Sequence, residues 1–215
     1  IPAPKLNLEA MMARKAGVVK DLTDGVAMLM KKNKITVLTG RGELLGGGKI
    51  VVHGDDDTTV EAGSIVLAMG SAPVELPFLP LDGHRVLSST EALSLPAVPK
   101  SLLVIGAGAV GLEMGSVWRR LGADVTVVEL LPQITPFADK QMASTLQRAL
   151  ASQGLEFRLG AKVTGAKVLK TKVKVTIEDA KGGTAEMDVE RVLVSVGRRP
   201  YSSGAGLDAA GVNLD

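Results

Sequence analysis

Residues Ser101 to Glu129 constrain this chain more than any other stretch. Leu102-Leu-Val-Ile105 is a short, wholly apolar run of the kind that forms a strand buried on both faces. It enters Gly106-Ala107-Gly108-Ala109-Val110-Gly111 and then a helix-forming segment, Val110 to Leu121, closed by Gly122. Asp124-Val-Thr-Val-Val-Glu129 follows as a second β-branched run that ends in a carboxylate. Each glycine of the Gly-x-Gly-x-x-Gly pattern has a physical task. Gly106 permits a tight turn out of the strand, Gly108 lets the backbone approach a pyrophosphate, and Gly111 lets helix and strand pack closely. The helix N-terminus then offers free N–H groups and a partial positive charge to phosphate. Strand, glycine turn, helix and acidic strand end, in that order, make the dinucleotide-binding fingerprint.

Glu129 follows Gly111 by 18 residues, near the roughly 20 expected of a ribose-binding acid. A carboxylate there accepts from a ribose 2′-hydroxyl and repels a 2′-phosphate. No Arg stands at Leu130, Leu131, Pro132, Gln133 or Ile134 to neutralise one. The spacing therefore predicts NAD in preference to NADP.

The remaining elements complete an α/β order. The apolar stripe Met12, Ala16, Val19, Leu22, Val26, Leu29, Met30 predicts a long helix from Leu8 to Lys32, its methionines serving as core filler or interface. Ile35–Leu38, Glu43–Leu45, Lys49–His53 and Ser64–Ala68 read as short strands, with Asp55-Asp56-Asp57 as a solvated hairpin turn. Ser71 to Asp82 is a proline-rich loop, and Ser89-Thr90-Glu91 opens a short helix. A helix from Lys140 to Gln153, with Asp139 as N-cap and Gly154 after its end, precedes a strand at Glu156–Leu159. Three alternating segments, 162–169, 172–177 and 185–188, predict an antiparallel meander, and Arg191–Val196 returns as an apolar strand. The expected organisation is a first domain over 1–99, a Rossmann-like nucleotide-binding domain with a parallel sheet over 100–200, and a return segment over 201–215.

Composition excludes several classes of function. With 25 basic and 23 acidic residues and no basic tract, nucleic acid is not an expected partner. No apolar run reaches the ~18 residues of a membrane span. The absence of cysteine removes thiol nucleophiles, disulfides and thiolate metal sites from these residues, and no metal site is expected. His53 and His84, the only histidines, belong to no catalytic constellation and read as surface residues. The chain begins Ile1-Pro2-Ala3-Pro4 and stops in mid-pattern at Asp215, as a processed or proteolysed piece would.

Several stretches resemble the flavoprotein disulfide reductases. They are Gly106 to Gly122 with Trp118, Asp139–Met142 through Gln153-Gly154, Lys162-Val-Thr-Gly165, Val192 to Pro200, and Ala68-Met-Gly-Ser71. The likeness is greatest to the family's branch that oxidises dihydrolipoamide, and it covers essentially the whole chain. The resemblance implies NAD at Gly106, Ala107, Gly108, Ala109, Val110, Gly111, Leu112, Glu113 and Glu129, with Val163 on the adenine side and Gly197 near the nicotinamide. It implies that 1–99 is a partial FAD-binding domain, with FAD contacts at Gly42, Met69, Gly70 and Ser71, although Met69 replaces the usual Thr and brings no hydroxyl. It also gives Glu113 a place near the flavin, paired with a Lys close to the redox disulfide. The family's N-terminal FAD fingerprint, cysteine pair, later Gly-Asp flavin contact and dimerisation domain have no counterpart in these residues, so no residue here is assigned a catalytic role. The implied activity is oxidation of dihydrolipoamide by NAD through FAD, with lipoyl domains of 2-oxoacid dehydrogenase complexes as partners. A homodimer is implied for the intact protein, which would be cytoplasmic in a bacterium and in the mitochondrial matrix of a eukaryote. Two alternatives stand beside this. One is another FAD-dependent disulfide reductase, which Glu129 disfavours because those typically use NADPH. The other is a non-catalytic NAD-binding module.

Overall fold

A computed structural model describes residues 5–214. The chain order is α1 (Leu8–Lys32), β1 (Arg41–Gly46), β2 (Lys49–His53), β3 (Thr58–Glu61), β4 (Ser71–Pro73), β5 (Val86–Leu87), α2 (Ser89–Ala92), β6 (Ser101–Ile105), α3 (Ala109–Arg120), β7 (Asp124–Glu129), α4 (Lys140–Ser152), β8 (Glu156–Leu159), β9 (Lys162–Val168), β10 (Val173–Glu178), β11 (Thr184–Val189), β12 (Arg191–Val194) and β13 (Arg198–Pro200). Two compact units result. Of the described residues, one unit holds 5–12 and Pro73–Arg198, and the other Ala13–Ala72 and 199–214.

The larger unit is Rossmann-like. Its five-stranded sheet has the order β5-β12-β6-β7-β8, and every neighbouring pair is parallel. The all-apolar strands follow from burial on both faces. Leu102, Val104, Val125, Val127 and Leu193 face α3 and α4, where Trp118, Leu112 and Leu150 pack. The alternate residues Leu103, Ile105, Val128, Val192 and Val194 face the meander β11-β10-β9 and its Val163, Val173, Val175 and Ile177. The meander, placed in sequence between β8 and β12, thus covers the face that a second layer of helices covers in a doubly wound sheet. Trp118 is buried and its indole Nε1–H donates to the Ala92 carbonyl at 3.0 Å. Asp139 caps α4 by accepting from the backbone of Gln141 and Met142.

Residues 73–99 belong to this unit rather than to the smaller one, because Val86–Leu87 forms the parallel edge of its sheet and Leu79, Val86 and Leu87 are buried in its cores. A two-residue strand among polar and proline residues has no periodicity to announce it.

The smaller unit contains the antiparallel sheet β1-β2-β3 over a small core of Leu44, Ala205 and Leu207. The Asp55–Asp57 turn joins β2 to β3. Two expected strands are corrected here. Ile35–Leu38 and Ser64–Ala68 have no regular structure, and Val37 and Val66 are 65% and 88% exposed. Apolar, β-branched composition favours a pleated surface, but a strand exists only by pairing its N–H and C=O groups, and no described strand pairs with either run. The α1 helix has the expected bounds, Leu8–Lys32, and its apolar stripe is only partly covered. Leu8 and Met12 pack on the core of the larger unit, whereas Val19, Leu22, Val26 and Leu29 are each more than half exposed. Periodicity creates an apolar stripe; only a neighbouring surface can bury it.

Candidate functional site

The carboxyl ends of β6, β7 and β12 and the start of β9 enclose a cleft of about 920 Å³ in the larger unit. Gly106, Gly108, Ala109, Glu129, Val163 and Gly197 line it, six of the residues expected at a nucleotide. The three motif glycines separate by cause. Gly106 has φ +101°, and a Cβ there would stand 2.5 Å from the Ser195 carbonyl oxygen. At Gly111 a Cβ would stand 2.2 Å from the Gly106 carbonyl oxygen and 2.5 Å from Ser195 Oγ. These two glycines are required by the fold itself. Gly108 is different: its φ is −75°, and a Cβ there would meet nothing within 4 Å. Among the described residues no atom requires a glycine at that position, and the space it leaves open borders the cleft.

Gly108 is the N-cap of α3 and supplies no side-chain cap, and the first turn has no acidic residue. The N–H groups of that turn and the positive end of the helix dipole are therefore free for an anion. Glu129 ends β7 with its carboxylate held in place. One oxygen accepts from the Ala107 N–H at 2.7 Å and the other from the Leu131 N–H at 2.9 Å. Each oxygen keeps a further lone pair for a hydroxyl donor.

The other expected residues lie outside the cleft lining. Ala107 is fully buried and acts through its backbone, as donor to Glu129 and acceptor from the Thr135 N–H at 2.9 Å. Leu112 belongs to the core and Gly111 is packed against β6, while Val110 and Glu113 are exposed on α3. In the smaller unit, Gly42 lies on β1 opposite Val52, Met69 packs on the small core, Gly70 has φ +74°, and Ser71 begins β4. None of these four lines that unit's cavity of about 210 Å³. His53 is a surface residue, its ring nitrogens 3.0 Å from Asp57 and 3.3 Å from Glu43, and His84 is exposed.

Sequence reasoning missed Ser195, Thr135, Lys162, Phe78 and Phe137, all of which line the cleft. Ser195 Oγ donates to the carbonyls of Ile105 and Gly106 at 2.9 and 3.1 Å and so ties β12 to the glycine turn. Thr135 is a non-glycine residue at φ +43°, and its buried hydroxyl has no hydrogen-bond partner. Its one sequence signal was the Pro136 that follows it.

Known proteins match this chain over nearly its whole length. A family model described as pyridine nucleotide-disulphide oxidoreductase matches residues 2–215. Dihydrolipoyl dehydrogenase 3 of Pseudomonas putida is 50% identical over 99% of this chain and 46% of its own length. The mitochondrial dihydrolipoyl dehydrogenase of Rattus norvegicus is 43% identical over 100% of this chain and 43% of its own. The crystal structure of LpdA from Mycobacterium tuberculosis superposes with a TM-score of 0.87 at 27% identity, over 99% of this chain and 47% of that one. The chain thus spans about half the length of the relatives it matches.

Proposed function

Because the chain belongs to the pyridine nucleotide-disulphide oxidoreductase family, we propose that its larger unit holds NAD for a dihydrolipoyl dehydrogenase. The observation that carries this reading is Gly108. Nothing among the described residues demands a glycine there, and what demands one is a ligand backbone-close at the N-terminus of α3. The pyrophosphate would take the free N–H groups of the first turn of α3. Glu129 would accept from the adenosine ribose hydroxyls, with Val163 walling the adenine side. Ser195 and Gly197, at the end of β12, would border the nicotinamide. When bound, NAD supplies a hydride acceptor, and this chain's part is to orient it.

The smaller unit would contribute one side of an FAD site through Gly42, Gly70, Ser71 and the backbone of Met69. The chain contains no cysteine, so the disulfide that meets dihydrolipoamide would come from outside these residues, and no thiol step is assigned to them. The dimer, the lipoyl-domain partners of 2-oxoacid dehydrogenase complexes, and a bacterial cytoplasmic or mitochondrial matrix location belong to the same proposal. Among the described residues no helix is long and apolar enough to cross a membrane.

Calorimetric titration of NADH and NADPH tests this reading. The wild type should prefer NADH by on the order of a hundredfold, the sum of a charge-assisted contact of roughly 1.5–3 kcal/mol and repulsion of the 2′-phosphate. Glu129→Ala should weaken NADH and narrow the gap. Glu129→Gln keeps an acceptor for only one of the two backbone N–H groups and turns its NH₂ toward the other, so it should narrow the gap both by loosening NADH and by relieving NADPH. Equal binding of both nucleotides by the wild type would overturn the assignment of Glu129.

A further inference from the structure

We propose that Phe137 is the adenine-stacking residue of the cleft, presented by a pre-formed turn. The proposal rests on the nucleotide reading above and adds the base-recognition element that the glycines and Glu129 do not supply. The chain has only three phenylalanines. Phe157 packs against the core, whereas Phe78 and Phe137 line the cleft. The Phe137 side chain is fully exposed, so none of the described residues packs on it. A large aromatic left wholly in water at the rim of a cleft is costly unless a ligand covers it, and a purine offers a flat π-face of matching size.

The turn that carries the ring is anchored. The Ala138 N–H donates to the Thr135 carbonyl at 2.8 Å, closing a four-residue turn with Pro136 in its second position, where its fixed φ is favoured. The Gln133 amide donates to the Ala138 carbonyl at 3.1 Å. The Thr135 N–H donates to the Ala107 carbonyl at 2.9 Å, and the N–H of the same Ala107 donates to Glu129 at 2.7 Å. One residue therefore ties down both the ribose-facing carboxylate and the turn. That shared anchor assigns the ring to the adenosine end, since Gly197 stands at the end of β12, on the other side of the glycine turn's strand in the sheet order. The left-handed backbone of Thr135 is consistent with a turn held by its surroundings rather than by its own preference.

The test is calorimetric titration of ADP-ribose and NADH into the full chain, as wild type, Phe137→Ala and Phe137→Tyr, with circular dichroism as a check on fold. Phe137→Ala should weaken both ligands by the same factor, about tenfold, equivalent to ~1.4 kcal/mol. Phe137→Tyr should stay within twofold of wild type. Unchanged ADP-ribose affinity in Phe137→Ala overturns the proposal, as does a loss seen with NADH but not with ADP-ribose. A wild type that binds neither ligand overturns the nucleotide reading of the cleft itself.

Discussion

The glycines of the motif allow fold and binding to be separated by single methyl groups. Gly111→Ala places a Cβ 2.2 Å from the Gly106 carbonyl oxygen, 2.5 Å from Ser195 Oγ and 3.0 Å from Val104 Cγ1. The first of these is backbone, pinned by Gly106's φ of +101° and its N–H bond to Val128. It cannot rotate away, so α3 and β6 must part by roughly 1 Å in a densely packed interface. Overpacking of this kind costs typically 1–3 kcal/mol, and the clash with fixed backbone places Gly111→Ala near the top of that range, at about 3 kcal/mol. At about 2–4 °C per kcal/mol, the melting temperature should fall by roughly 6–12 °C. Gly108→Ala meets no atom within 4 Å and keeps an ordinary φ of −75°. Reduced freedom of the unfolded chain favours the alanine by ~0.4–1 kcal/mol. The poorer N-cap opposes it by a similar amount, so stability should stay within about 1 kcal/mol of wild type. NADH affinity should nevertheless fall at least about tenfold, because the methyl stands where the pyrophosphate must approach. Denaturant unfolding followed by the fluorescence of Trp118, together with calorimetric titration of NADH, measures both quantities. Equal destabilisation by the two substitutions, or undiminished NADH binding by Gly108→Ala, would refute the division of labour.

Two further expectations concern the frame around the cleft. Trp118→Phe removes the indole donor from the buried Ala92 carbonyl and part of a packed ring, and should cost about 1–3 kcal/mol by circular-dichroism-monitored denaturation; a change below about 0.5 kcal/mol would show that bond to be dispensable. Burial alone would raise the Asp82 carboxyl, but the backbone N–H groups of Val86, His84 and Arg85, all donating to Oδ1, outweigh it and hold its pKa below the ordinary 3.8. A depressed carboxylate stabilises above its unfolded pKa and loses that contribution as pH falls through the folded one. Asp82→Ala should therefore lower stability by about 1 kcal/mol at pH 7, allowing for solvent screening. Its deficit should shrink as pH drops below 3.8; a deficit independent of pH would contradict this.

The parts of the molecule legible in the sequence are those set by local chemistry or by burial on both faces. β7 and β8 occupy the residues expected of them, and α4 begins at its Asp139 cap, because an apolar run between helix caps has few alternatives. The meander was equally plain from its alternation. The glycine turn and Glu129 were found because their spacing follows the covalent path from strand to helix to strand. What the chain order could not reveal is who meets across the sheet. β12 inserts between β5 and β6, so Ser195 stands against Ile105 and Gly106 although it is 90 and 89 residues away. Lys162 and Phe78 reach the cleft by similar routes, and Thr135 enters it through one backbone bond to Ala107. The same limit explains the misread segments. Ile35–Leu38 and Ser64–Ala68 have strand composition without a pairing partner; α1 was read with its observed bounds, but how much of its stripe is covered was not legible. Composition and period state what an element can bury or pair. Whether it does is decided by which backbone edges and apolar faces the tertiary fold brings beside it.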